Sequence, residues 1–224
     1  LMTRRVEDER RKQELEYRML QNEVNPHFIY NTLNSIRWMA TIQHAPGIAE
    51  MVTAFARLTK SISKGTQKLV PLQEELALLN DYFTIQQYRY GGDLEIEVSR
   101  IESETLCRDC MIPRFTLQPL VENAILHGFR DRSGGEIRIS AYRAEEDLIL
   151  TVRDNGCGVP EEVLAQYRDG APRPGGHFGL HNVDAILRIR YGPDRGVRFV
   201  PVQGEGACIR ITLPVFRKGE EPPC

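Results

Sequence analysis

Cysteine is scarce and odd in number in this chain of 224 residues: Cys107, Cys110, Cys157, Cys208 and Cys224 make five. No even, regularly spaced set exists from which a disulfide framework could be built, which excludes a small disulfide-stapled scaffold and suits a reducing compartment. Cys107 and Cys110 form a single CxxC, but no second pair and no neighbouring histidine completes a zinc set. An excess of either charge is lacking too. The 29 Lys and Arg against 31 Asp and Glu leave a net charge of −2, and the run TRRVEDERRKQELE mixes its signs as an exposed helix does. Nucleic acid is therefore not an expected partner. No apolar run approaches the ~18 residues of a membrane span, and no signal-peptide core stands near the start. With 41% apolar and 27% charged residues the chain is expected to be globular and soluble, with one sizeable core or two small ones. It opens at Leu1 in mid-pattern, without an initiator methionine, as a piece of something longer would.

What is present is a change of period along the chain. Leu15, Met19, Asn22, Pro26, Ile29, Leu33, Ile36 and Ala40 follow heptad-like steps of four and three, and the phase does not slip at Pro26. Proline inside a helix deletes one backbone donor and costs about 3 kcal/mol, so the unbroken phase favours a kinked continuous helix. The competing expectation is that Asn25 caps and Pro26 opens a new helix. After the turn signal His44-Ala-Pro-Gly47, apolar positions resume at Ile48, Met51, Val52, Phe55, Leu58 and Ile62, making a helical hairpin. Pro71 then leads into LQEELALLNDYFTIQQYRY, with Leu72, Leu76, Leu79, Phe83 and Tyr90 expected on one face. Beyond Gly91-Gly92, the stretches LEIEV, EIRISAYR, LILTVRD, VRFVPV and CIRITLP alternate as half-buried strands do, with helical segments near 113–128 and 179–191. The expected organisation is a helical domain over residues 1–90 and an α+β domain with a mixed sheet over residues 91–224. A two-helix hairpin rarely buries a long seam alone, so a homodimer pairing hairpins into a four-helix bundle is expected.

Three motifs in the second part carry chemistry. In QPLVENAILHG (118–128) the Asn123 amide oxygen is a hard ligand of the kind Mg²⁺ takes beside phosphate oxygens, and Glu122 can accept a proton or order water. The plainer alternative is a helix whose Leu120, Ile125 and Leu126 are core while Glu122 and Asn123 are solvated. In DNGCGVP (154–160), Asp154 at a strand end can accept from an exocyclic amine, and Gly156 and Gly158 let backbone approach a flat ligand. An ordinary Asn-Gly turn is the alternative there. In GGHFGLHNV (175–183) glycine-rich backbone enters a helix start able to receive phosphate oxygens.

Taken together, the three motifs resemble the N, G1 and G2 boxes of the ATP-binding superfamily that includes gyrase, Hsp90-type chaperones, MutL proteins and histidine kinases. With LQNEVNPHFIYNTLNSI upstream, and RYGGDLEIEV between, the chain resembles the LytS/YesM-like sensor histidine kinases from about Leu20 to Pro214. The resemblance implies a helical phosphoacceptor hairpin followed by an α+β sandwich that binds ATP and Mg²⁺. It matches His27 to the phosphoacceptor, Asn123 to the magnesium ligand with Glu122 alongside, and Asp154 to the adenine-binding carboxylate. Gly156, Gly158, Gly179, Leu180 and Asn182 match the nucleotide-contacting boxes, and residues 159–176 the lid over ATP. Where many kinases carry a lysine three residues after the N-box asparagine, this chain has Leu126, so phosphate charge would come from His127, Arg168, Arg173 or His177.

The implied activity is ATP-dependent phosphorylation of His27, then transfer to an aspartate in the receiver domain of a response regulator. A histidine suits the acceptor role because its ordinary pKa near 6.5 leaves the imidazole mostly neutral at pH 7. The resemblance also implies a bacterial parent anchored in the membrane through a region upstream of Leu1, with this portion in the cytoplasm. Two rivals use the same motifs. One is a clamp-type ATPase with Glu122 as the base for water attack, and the other a degenerate module that dimerises but transfers nothing.

Overall fold

The computed structural model describes residues 26–63, 69–90, 94–129, 135–168, 178–202 and 205–216. The chain divides into two compact units, Leu1–Lys64 and Gly65–Cys224. The expected kink at Pro26 turns on residues 1–25, which lie outside the described residues.

In the first unit, α1 (Pro26–Ile42) and α2 (Pro46–Ser63) form the expected hairpin. Pro46 sits at the first position of α2, where its missing N–H costs nothing. Ile29, Leu33 and Ile36 of the predicted seam pack with Val52 and Ala56, and Ala40 is buried. Of the apolar positions expected along α2, Val52 and Leu58 are buried, whereas Ile48, Phe55 and Ile62 are exposed. Small residues take the inside because close helix approach leaves room for Ala54 and Ala56.

The second unit holds a five-stranded mixed sheet in the order β2-β4-β5-β7-β6, formed by β2 (Leu94–Ile101), β4 (Gly135–Ala144), β5 (Asp147–Asp154), β6 (Gly196–Phe199) and β7 (Cys208–Pro214). β2 runs parallel to β4 and the other neighbours are antiparallel. Alternation decides the faces. Ile139, Val152 and Ile209 lie opposite one another across three strands, as do Ala141, Leu150, Ile211 and Val197, and all of these are buried. The row between them, Ser140, Thr151 and Arg210, is the polar face, where Ser140 and Thr151 share a hydroxyl hydrogen bond. Two further strands, β1 (Leu69–Pro71) and β3 (Met111–Pro113), pair apart from this sheet. The remaining helices are α3 (Leu72–Tyr90), α4 (Glu104–Asp109), α5 (Gln118–Asn123), α6 (Glu161–Arg168) and α7 (Phe178–Tyr191). The chain continues from α5 into a wide π-turn, Ala124–Gly128.

The contact boundary falls between Lys64 and Gly65, because α3 packs on β1, β2, α4 and α5. Of the face expected for α3, Leu72 and Leu79 are buried and Leu76 and Phe83 half-buried, but the buried set is wider than expected and stops short of Tyr90. Leu72, Glu75, Leu78, Leu79, Asp81 and Tyr82 are buried, whereas Tyr90 is exposed. Hydrophobic period alone could not see that a glutamate is drawn inward by backbone N–H groups of the segment before α5.

Candidate functional site

Asp154 is the fixed point of the site. It follows Leu148, Leu150 and Val152 at alternating positions of β5, so the parity of the strand points its carboxylate to the core side, and it is 6% exposed. Oδ1 accepts from the N–H of Gly156 at 2.9 Å and of Ala207 at 3.2 Å, and the Asp154 N–H donates to the Ala207 carbonyl at 2.9 Å. Among the described residues no hydrogen bond is made by Oδ2. Burial pushes the Asp154 carboxyl above its ordinary value, and the Gly156 and Ala207 donors partly offset it. The result is a carboxylate in a low-dielectric setting with one oxygen held by backbone, a good acceptor for a ligand N–H.

The N-box segment lies directly against this strand end. The Gly128 carbonyl accepts the Cys157 N–H at 3.0 Å, and the Cys157 thiol donates to the His127 carbonyl at 3.2 Å. The π-turn that ends the helix widens it at this point, a feature that recurs at functional sites. A Cβ on Gly156 would stand 2.5 Å from the Gly128 Cα, so only a glycine lets the two backbones meet. Gly206 closes the other side with φ +98°, where a Cβ would run into the Asp154 carbonyl. Glu122 and Asn123 are half-buried and immediately precede the π-turn, and His127 is exposed.

α7 meets the same helix at its other end. Gly179 packs against Pro119, a Cβ there falling 3.2 Å from the Pro119 Cβ, and α5 and α7 are in contact. Gly179 and Asn182 are exposed at the helix start, whereas Leu180 is 1% exposed. Leu180 therefore contributes core packing beneath the helix start and no surface open to a ligand. Further along α7, Asp184 is buried and accepts from Val197 N–H at 2.8 Å and from Arg188 at 2.7 Å, tying α7 to β6.

The structure thus brings Glu122, Asn123, His127, Asp154, Gly156, Gly158, Gly179 and Asn182 into one unit, with α5 bridging the Asp154 strand end and the start of α7. His27 belongs to α1 of the other unit. His177 and Arg173 lie outside the described residues, as does the Arg168 side chain, while the first part of the expected lid is helix α6. The glycine contact and the backbone-held carboxylate form a cradle that a Cβ would fill, and α7 opens with no acidic residue in its first turn. These features fit a nucleotide with its phosphates toward α7, and the Asn123 amide oxygen fits a magnesium ligand. Sequence reasoning missed Gly128, Gly206 and the Ala207 N–H. Gly128 closes the quoted N-box motif and Gly206 sits in a Gly-Glu-Gly turn, but neither shows its partner without the fold. Among the described residues no group of His, Cys, Asp and Glu suits a metal ion by itself, and Cys107, Cys110, Cys157 and Cys208 are free thiols.

Residues 15–94 match the family model described as histidine kinase, and residues 112–217 the one described as histidine kinase-, DNA gyrase B-, and HSP90-like ATPase. The chain is 34% identical to the sensor histidine kinase YesM of Bacillus subtilis, over 96% of this chain and 36% of that protein. Identity is 33% to the sensor histidine kinase YpdA of Escherichia coli, over 82% and 32%, and 28% to the sensor protein LytS of Staphylococcus saprophyticus, over 92% and 35%. The chain spans about a third of the length of these curated relatives. Among solved structures, the histidine kinase AdeS of Acinetobacter baumannii aligns with a TM-score of 0.50 at 17% identity, over 85% of this chain and 95% of that one. The catalytic domain of histidine kinase ThkA aligns with a TM-score of 0.50 at 17% identity, over 66% and 95%. At that identity the likeness is one of fold.

Proposed function

The chain belongs to the sensor histidine kinases of the YesM and LytS type, and from that premise we propose that it is the cytoplasmic kinase portion of a two-component sensor, which phosphorylates His27 from ATP. The observation that carries the reading is the Asp154 carboxylate, held by Gly156 and Ala207 N–H groups against the Gly128 backbone, beside the helix bearing Glu122 and Asn123. Asp154 accepts from the adenine amino group and sets the base. Asn123 would hold a magnesium ion through its amide oxygen, and the ion would supply charge neutralisation at the phosphates. Glu122 orders or deprotonates at the same helix end, and the exposed start of α7, with Gly179 and Asn182, receives phosphate oxygens. His27, on a separate unit, accepts the phosphoryl group on an imidazole nitrogen. The product nitrogen–phosphorus bond is labile enough to pass the group to a response-regulator aspartate.

A homodimer joined through the hairpins completes the proposal. Ile48, Phe55 and Ile62 recur every seven residues on α2 and are all exposed, as are Phe28, Trp38 and Met39 on α1. A second hairpin covering this apolar surface gives the four-helix bundle expected from sequence. Among the described residues no helix is long and apolar enough to cross a membrane, and anchorage is assigned to the rest of the parent protein.

Incubation with γ-labelled ATP tests the reading. The wild type is expected to take acid-labile label. H27Q should bind ATP and take none, and D154N should fail at binding, by about a hundredfold. Label retained by H27Q would remove His27 from the mechanism. ATP hydrolysis without labelled protein would favour a clamp-type ATPase, and ATP binding without either would favour a non-transferring module.

A further inference from the structure

A carboxylate outside the three motifs reaches the helix that carries Glu122 and Asn123. Glu75, on α3, is 1% exposed and about 40 residues upstream of the segment it binds. Its Oε2 accepts the Phe115 N–H at 3.0 Å, and its Oε1 accepts the Leu117 N–H at 3.0 Å. Leu117 is the residue on which α5 starts, and no side chain of its own caps that helix. Phe115 stands at φ +61°, a left-handed conformation that a bulky residue adopts only when its surroundings compel it. The neighbouring Glu74 binds Arg114 at 2.7 Å, so two successive glutamates of α3 grip residues 114–117. Two turns further along α3, burial raises the hydroxyl pKa of Tyr82, and the charge of Glu122 raises it further. α3 is thus bonded to the turn that opens the N-box helix and packs against that helix.

We propose that Glu75 is a positioning residue for the nucleotide site: its carboxylate holds the turn at 115–117, and thereby sets where α5 presents Glu122 and Asn123. The inference rests on the reading of Asn123 as the magnesium ligand. Glu75 touches neither nucleotide nor metal in this scheme and acts through the backbone of the turn.

The charged group facing the Glu75 carboxylate is the Arg114 guanidinium, itself bound to Glu74. On α4, Glu104 and Arg108 are exposed and pair with each other, and on α5 Glu122 faces Tyr82. Burial pushes the Glu75 carboxyl up to about 7, so its charge changes across the neutral range.

The test is ATP affinity of the whole chain, measured by calorimetry with Mg²⁺ and in EDTA, for the wild type, E75Q and E75D. Glutamine keeps the shape but turns a donor toward one of the two N–H groups, which should weaken Mg·ATP binding about tenfold. Binding in EDTA, which rests on Asp154, should change less than about twofold, and the unfolding midpoint should stay within a few degrees. E75D keeps the charge with one methylene less and should fall between. The ratio of wild-type to E75Q affinity, in which the ionisation of ATP cancels, should grow from pH 6 to pH 8 as Glu75 ionises. A wild-type magnesium increment in E75Q overturns the proposal, as does an equal loss with and without metal, the mark of a merely structural role. Should E75Q not fold, an unchanged increment in E75D overturns it. A wild type that binds no ATP in either condition overturns the nucleotide reading itself, a separate result.

Discussion

Asp154 and Glu75 solve the same problem at two places: each is a buried carboxylate that accepts two backbone N–H groups, and each is raised by burial in spite of them. Asp154 was legible because it ends an alternating strand inside DNGCG. Glu75 was not, since LQEEL offers two adjacent glutamates and only the partner segment distinguishes them. The sign of its effect on stability follows from its rise from 4.5 to about 7. The folded state holds the proton more tightly, so the contribution is fully present below about pH 4.5 and is lost as pH rises through 7. The change amounts to roughly 3 kcal/mol. Urea unfolding of the wild type and E75Q between pH 4.5 and 8 should therefore show a wild-type stability that declines relative to the variant. Parallel curves would mean that Glu75 keeps its charge throughout.

At the scale of elements, the site is the meeting of a strand end, a helix with a π-turn and the start of a second helix. Sequence period located the strands closely, and α7 to within one residue, because one-sided burial in a sheet writes itself as alternation. It did not locate the short pair β1 and β3, or α4, whose pairing and capping depend on distant chain. The contact between Gly128 and Gly156 is a close approach of backbone to backbone. G156A should push the two backbones apart, costing about 1–3 kcal/mol and weakening nucleotide binding about tenfold or more. Denaturant unfolding and calorimetry measure both, and a variant with wild-type affinity would show that the close approach serves packing alone.

At the scale of the whole molecule, family, order of domains and the identity of the chemical motifs were set by sequence alone, because each rests on residue types at fixed local spacing. The extent of the first domain was not. The family model for the helical part runs to residue 94, yet α3 packs with the second unit. The exposed stripe of Ile48, Phe55 and Ile62 leads to a prediction at this scale: F55E should convert a dimer into a monomer in sedimentation velocity while leaving ATP affinity within about twofold. A wild type that is monomeric at all concentrations would remove the bundle from the proposal. Which face α3 buries, which glycines touch, and which of two glutamates grips the turn before Asn123 were decided by tertiary structure. Those features depend on desolvation and on hydrogen bonds between segments 30 to 53 residues apart, and no local pattern encodes the partner across that distance.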